Sequence, residues 1–404
     1  MLAGSEAPAL SWRDRLQLDP LDIRLAIMAG VLLVMALAFH TVTGQFITPE
    51  NLYNIAQQTA VVGIVAAAMA LVIVARQIDL SVGSALGLVG VLIAFLMYSK
   101  GWHWVPASAA GLAVALAVGL YQGWLVAGLG VASFVVTLGG LMSLRGAAFL
   151  VASGKTQPVM DPLFLMLGGG LDGAIGPLPS GLLAAAFSAW MVLRAVQRRR
   201  SQRAHGLLPR ALWVDVLVTG LFCATALAFA AAMSAYRIGD KPAGQGIPVP
   251  VLIWAVVVAV VAFIVKHTRF GRYIYAIGGN PEAALLVGIP VRRVLLQLFM
   301  LLAVLVTVAA IVAVSRLNAG TNSLGMNQEL YVIAAAVIGG VALSGGSGTV
   351  IGTVLGALVI QFLESGLLLL DVDIGWRMVI VGQVLIAAVV FDVLFRRATG
   401  ERVA

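Results

Sequence analysis

KHTRFGRYIYAIGGNPEAALLVGIPVRR, residues 266–293, is a polar and basic interval set between two long apolar runs. It carries the punctuation of a short helix. Asn280 reads as the N-cap, Pro281 as the first helical residue and Glu282 as a first-turn acid that suits the helix dipole. Gly288 reads as the left-handed closing position, and Pro290 prevents continuation. The helix so defined has about two turns, roughly 10 Å, and is marginal in water unless it packs against something. The spacing fits a docking element on a membrane protein and an ordinary capped surface loop equally well.

The flanking runs settle the class. Apolar residues make up 61% of the 404 and charged residues 10%, against roughly 25% charged in soluble domains. Mean hydropathy is +1.04, and apolar runs long enough to cross a bilayer recur along the chain. The expected fold is an all-α, polytopic transmembrane helix bundle of about twelve spans (10 to 12). The sixth (181–196) and tenth (330–343) are short, so either reads as re-entrant or broken rather than a full crossing.

Placing both termini in the cytoplasm puts 18 of the 25 Lys and Arg residues on the cytoplasmic side, 5 outside and Arg145 and Arg377 within spans. The basic clusters are Arg13, Arg15 and Arg24, then Arg198, Arg199, Arg200, Arg203 and Arg210, and finally Arg396 and Arg397. The expected organisation is a cytoplasmic tail over 1–24, a permease domain over 25–395 and a second cytoplasmic tail over 396–404. Within the domain lie a basic cytoplasmic linker, 194–212, read as a solvated loop, and a cytoplasmic coupling loop, 266–293. Topology accounts for the net charge of +8 without nucleic acid. The Gly- and Pro-rich stretches 152–180 and 234–249 read as external loops, where a side chain at Gly169 could point into water.

A weak internal repeat runs along the chain. IVAAAMALVIVARQIDLSVGSALG (64–87) and IAAAVIGGVALSGGSGTVIGTVLG (333–356) align at an offset of 269 in the same direction. Each copy has a span, a polar break and a second span opening on GxxxG. Gly83 and Gly87, and Gly352 and Gly356, are therefore candidate helix-packing positions.

Chemistry leaves little trace. Gly154-Lys155-Thr156 resembles the end of a phosphate-binding loop, but the required earlier glycine is Phe149. Four scattered histidines and the single Cys223 give no ligand spacing and no intrachain disulfide. No catalytic residue, cofactor site or metal site is expected. Polar residues inside spans or breaks are costly and tend to face cavities. Asp79, Ser81, Thr137 and Gln361, with Asn322 in the external loop before the tenth span, are the candidate solute path, and Arg145 and Glu364 also lie at span depth. Each has a competing structural reading as a helix–helix hydrogen bond. Neutral polar groups without a relay of buried carboxylates suit a neutral, hydroxyl-rich solute.

Four motifs in fixed order resemble the permease subunits of bacterial sugar ABC importers of the ribose/xylose/galactose type. They are QIDLSVG (77–83), FVVTLGGLMSLRG (134–146), GGNPEAALLVGI (278–289) and LSGGSGTVIGTVLGAL (343–358). The overall length, the basic insertion and the segment VDIGWRMVIVGQVLIAAVVFDV (372–393) look most like the xylose branch. The resemblance implies that Asn280, Pro281, Glu282, Ala283, Ala284 and Gly288 form a coupling helix that docks on a separate cytoplasmic ATPase, which binds the ATP. The longer docking consensus would continue toward an Ile-x-Leu-Pro, absent near Leu298. The resemblance further implies a periplasmic sugar-binding protein, a homodimer with the solute path between protomers, and a place in the bacterial inner membrane. The rival expectations are a stand-alone secondary transporter of a small neutral solute and a membrane scaffold. The basic capped loop disfavours the first, and the polar breaks within spans the second.

Overall fold

The computed structural model describes residues 20–170, 172–205, 212–239 and 244–398. Arg13, Arg15 and Arg210, and the side chains of Arg24, Arg396 and Arg397, lie outside the described residues. Among those described, ten helices are long and apolar enough to cross a membrane, and two shorter apolar helices accompany them. The described residues divide into two compact units, one drawn from 20–27 and 175–247, the other from 28–174 and 248–398.

The first unit is a helix pair, α7 (Pro177–Ala204) and α8 (Leu212–Ala235). Ser180 Oγ accepts from Ile247 N at 2.8 Å, Gly246 N donates to Met233 O at 3.1 Å, and Arg199 pairs with Asp215. These contacts make the pair antiparallel. Two expectations change here. The sixth span is not short, because α7 runs 28 residues, about 42 Å of helix. For the same reason the stretch 194–204 is helix rather than loop. It is rich in Arg, Gln and Ala, good helix formers, and contains no Gly or Pro to stop it. Arg194 lies over the Trp190 ring at 4.8 Å, one turn back.

The second unit is built around α2 (Pro49–Val74), with Thr48 as N-cap and Pro49 in the first turn. Some 94% of its apolar window is buried. Its Ala- and Val-rich surface lets four helices approach closely: α9 (Val249–His267), α12 (Val291–Leu317), α13 (Gln328–Ile338) and α14 (Val350–Leu369). Outside this core lie α3 (Val82–Lys100), α4 (Trp104–Ala127) and α5 (Ser133–Ala152), and α15 (Ile374–Ala398) packs against α13 and α14. The remaining elements are α1 (Pro20–Thr43), β1 (Gln157–Pro158), α6 (Pro162–Met166), α10 (Arg269–Gly279), α11 (Pro281–Leu286) and β2 (Ala319–Gly320).

The tenth crossing is broken. At 11 residues, α13 gives only about 16 Å of helix, half of a roughly 30 Å hydrocarbon core. The other half is a run of turns over residues 322–327, in which Leu324 N donates to Thr321 O and Met326 N to Ser323 O. After β2 pairs with β1, the backbone runs antiparallel along α3, with Gly320 beside Ala94, Leu324 beside Gly90 and Gly325 beside Gly83. Non-helical backbone at this depth must be buried in protein. Arg145 of α5 supplies part of that cover, its Nη1 donating to Leu324 O at 2.8 Å and Asn322 O at 3.1 Å. Asn322 therefore lies in a turn segment held between α3 and Arg145 of α5.

Both GxxxG steps meet this broken element. A Cβ on Gly83 would overlap the Gly325 carbonyl and the Glu329 carboxylate, and one on Gly87 the Leu324 carbonyl. A Cβ on Gly352 would overlap the Gly339 carbonyl, and one on Gly356 that of Ala335. So α13 is gripped by one glycine pair at its start and by the other at its end. The two copies of the sequence repeat are not alike in pairing, however. The helices α13 and α14 pack face to face, whereas α2 and α3 scarcely touch.

Gly169 also departs from expectation. It is buried, with φ +75, and its carbonyl accepts from Tyr53 Oη at 3.1 Å and from Gln57 Nε2. A glycine-rich composition marks a loop but does not say that the loop is wet.

Candidate functional site

A cavity of about 200 Å³ opens between α2, α12, the turns ahead of α13, the start of α13 and α14. Its polar lining is Gln58, Arg316, Thr321, Ser323, Gln328 and Gln361, set among Val61, Leu86 and Ala313. These polar groups reach the cavity from several elements. Gln58 and Gln361 project from the middle of long apolar helices. Arg316 ends α12, whose last residue hands over to Asn318 in the left-handed conformation. Gln328 opens α13, and Asn327 ahead of it is also left-handed, at φ 61, and makes no side-chain capping bond.

Arg316 Nε, Gln328 Oε1 and Gln361 Oε1 are buried atoms that no protein group hydrogen-bonds. Asn322 Oδ1 and Glu329 Oε2, close by in the chain, share that condition. Buried polar atoms without partners cost about 1–3 kcal/mol each, so several around one cavity mark a place where something else is hydrogen-bonded.

The other expected path residues lie elsewhere. Asp79 Oδ1 accepts from Ser81 N and from Ser81 Oγ, both at 2.7 Å, and Gln122 Nε2 donates to Ser81 Oγ at 2.9 Å. Thr137 Oγ1 donates to Ser133 O at 2.8 Å, and Ser133 Oγ accepts from Ile78 N at 3.1 Å. This cluster ties the first polar break to α4 and α5 with its polar groups satisfied by one another. The space beside it is only about 20 Å³, room for little more than one water. Of the five path candidates, the structure brings Gln361 to the large cavity and sets Asn322 beside it in the chain. It groups Asp79, Ser81 and Thr137 separately. Glu364 accepts from Tyr331 Oη at 2.8 Å, a helix–helix bond. Arg316, Gln328 and Gln58 escaped the sequence reading. The available signal was a lone Arg in the last turn of a long apolar helix and a Gln opposite Gln361 on the central one.

The second feature is α11 and its surroundings. Asn280 Oδ1 accepts from Ala283 N at 3.0 Å, Pro281 is first in the helix, and Gly288 takes φ +81 after it. Ala284 turns inward while Glu282 is exposed. The next three residues are apolar and face outward, Leu285 at 64%, Leu286 at 89% and Val287 at 77% exposure. Consecutive exposed apolar side chains on a rigid, capped turn are a contact surface.

This surface is anchored to both polar breaks. Arg76, in the first break, donates from Nε to Gly278 O at 2.7 Å and from Nη2 to Gly279 O at 2.9 Å. Gly346, in the second, donates its N–H to Val74 O at 2.9 Å, and Tyr275 Oη donates to Gly348 O at 2.7 Å. The close approach needs glycine at 278, where a Cβ would overlap the Val74 carbonyl. The exposed turn, the end of α2 and the loop joining α13 to α14 therefore form one connected patch.

Comparison with known proteins agrees over nearly the whole chain. The family described as "Branched-chain amino acid transport system / permease component" matches residues 51–389. The xylose transport system permease protein XylH of Haemophilus influenzae is 36% identical over 378 residues, 93% of this chain and 98% of that protein. Its namesake in Escherichia coli K12 is 35% identical over 382 residues, covering 94% of each chain. The ribose import permease protein RbsC of Escherichia coli K12 is 32% identical over 362 residues, 89% of this chain and 91% of that one. No solved structure matches.

Proposed function

Because the chain belongs to the branched-chain amino acid transport system / permease component family, we propose that it is the membrane subunit of an ATP-driven importer of a monosaccharide, D-xylose first. The relatives named for xylose and ribose support sugar over amino acid. In this reading a separate cytoplasmic ATPase docks on Asn280 to Gly288, and a periplasmic binding protein delivers the sugar. A second copy of the chain completes the unit in the inner membrane, with both termini in the cytoplasm.

The observation that carries the reading is the outward-facing Leu285, Leu286 and Val287 on a turn wired to both polar breaks. A secondary carrier has no use for such a surface. Replacing Leu286 with Asp puts a charge at the centre of the contact, and replacing Glu282 with Lys reverses the only acid on the helix. The Leu286→Asp variant is expected to lose ATPase co-purification in mild detergent and at least about tenfold in D-xylose uptake, since burying an unpaired charge costs well over 1.4 kcal/mol. Glu282→Lys is expected to lower uptake less. Neither alters folding, because both side chains are exposed. Undiminished co-purification and uptake in Leu286→Asp would assign the ATPase, if any, to another surface.

Sidedness gives an independent check. In a Cys223→Ser background, single cysteines at Gln202 and Gly279 are expected to react with an impermeant thiol reagent from the cytoplasm only. Cysteines at Gly170 and Arg237 are expected to react from outside only. Gly279, Gly170 and Arg237 are suited to the purpose because a side chain meets open space or solvent there. External reaction at Gly279 would reverse the topology and remove the docking assignment with it.

A further inference from the structure

The cavity beside α13 has features that narrow its ligand. Gln361 is 5% exposed, lines the cavity, and has its amide oxygen without a protein partner. Gln328 Oε1 and Arg316 Nε stand at the same cavity in the same condition. The first residue of a half-length helix forms part of the wall, an arrangement that builds solute sites midway across membrane carriers. We propose that this open cavity, lined by one protomer, holds a single neutral polyol during its passage, with Gln361, Gln328 and Gln58 as two-way hydrogen-bonding groups and Arg316 as a fixed donor.

The lining selects the chemical class. A hydroxyl both donates and accepts, and an amide side chain matches it with one acceptor and two donors. Arg316 offers a planar fork to a pair of adjacent oxygens. No Asp or Glu lines the cavity, so the ammonium of an amino acid would be left without a counter-charge. Glu329, next in the chain after Gln328, sets its carboxylate against Gly83 instead. The volume of about 200 Å³ exceeds the roughly 150 Å³ that holds a benzene ring, enough for one sugar ring and not two. The assignment also places a binding step inside a protomer, in addition to any path between protomers.

The proposal rests on reading the chain as a sugar permease, and the test keeps the two apart. Cells making the complete transporter are given radiolabelled D-xylose, D-ribose or D-galactose, with the wild type compared against Gln361→Leu and Arg316→Met. Both variants are expected to retain ATPase co-purification and detergent melting temperature, since each replaces, with an apolar group of similar shape, a side chain that leaves a buried polar atom without a protein partner. Uptake is expected to fall at least about tenfold, the loss that one well-made hydrogen bond to the solute represents. Stable variants that import as the wild type does would overturn the cavity assignment alone. A wild type that imports none of the three sugars would overturn the sugar reading and the assignment together. Should either variant fold poorly, Thr321→Cys in the Cys223→Ser background decides. Its alkylation is expected to slow in saturating D-xylose and not in the same concentration of L-leucine, and equal rates would sink the proposal.

Discussion

Gly352→Leu is expected to prevent recovery of folded protein in detergent, whereas Gly139→Leu is expected to behave as the wild type or slightly better. At Gly352 the first added carbon already overlaps the Gly339 carbonyl, and Thr349 Oγ1 caps the helix from the other side. Three further carbons must then enter the close contact between α13 and α14. Overpacking a well-filled contact typically costs 1–3 kcal/mol, but here the obstacle is backbone, which cannot rotate aside, so the upper end or beyond applies. Gly356→Leu meets the Ala335 carbonyl in the same way. Gly139 lies on an exposed face of α5 with nothing within 4 Å of a new Cβ, and leucine is the better helix former by about 1 kcal/mol. The readout is the monodisperse fraction surviving a temperature series in detergent. Equal survival of the two leucine variants would mean that α13 is not clamped by α14. Gly169 is no control for this comparison, since its buried left-handed backbone makes leucine costly there too.

Arg76→Ala is expected to cost at least about tenfold in sugar uptake while ATPase co-purification persists. The guanidinium makes two hydrogen bonds, to the carbonyls of Gly278 and Gly279. Bonds of this charged kind contribute about 1.5–3 kcal/mol each. They join the first polar break to the residues just ahead of α11, so Arg76 is a positioning residue through which displacement of α11 would reach α2 and α13. Switching between two packed arrangements needs such a rigid connection. Arg76 also holds φ 59, a conformation that disfavours every residue but glycine. Arg76→Gly therefore relieves the backbone while deleting the guanidinium. If the side chain is the connection, Arg76→Gly fails in uptake as Arg76→Ala does, and Arg76→Lys retains part. Uptake by Arg76→Gly at the wild-type level would show instead that only the turn geometry matters.

What the chain determines by itself is whatever depends on neighbours along it. Hydropathy is a sum over consecutive residues, so the polytopic helical class was legible, as were most of the spans. Capping chemistry is equally local. Asn280, Pro281 and Gly288 take the conformations their side chains prefer, and α11 runs as their spacing predicts. The glycine steps at 83, 87, 352 and 356 were visible as places where backbones could meet, because a missing side chain can be read anywhere. What fills the gap cannot. Only the tertiary structure decides that all four glycines grip one half-length helix, because their partners at 324–339 lie far along the chain from Gly83 and Gly87 and belong to another crossing. Apolar periodicity is silent where turns replace helix ahead of α13, since the Arg145 hydrogen bonds that cover that backbone come from α5. The same reason separates Asp79 and Ser81 from Gln361. All three read as costly polar residues in apolar surroundings, and folding satisfies the first two with each other and Gln122 while leaving the amide oxygen of the third facing a cavity. Whether a buried polar group has a partner is a property of the space around it, and that space is assembled from segments that no local pattern relates.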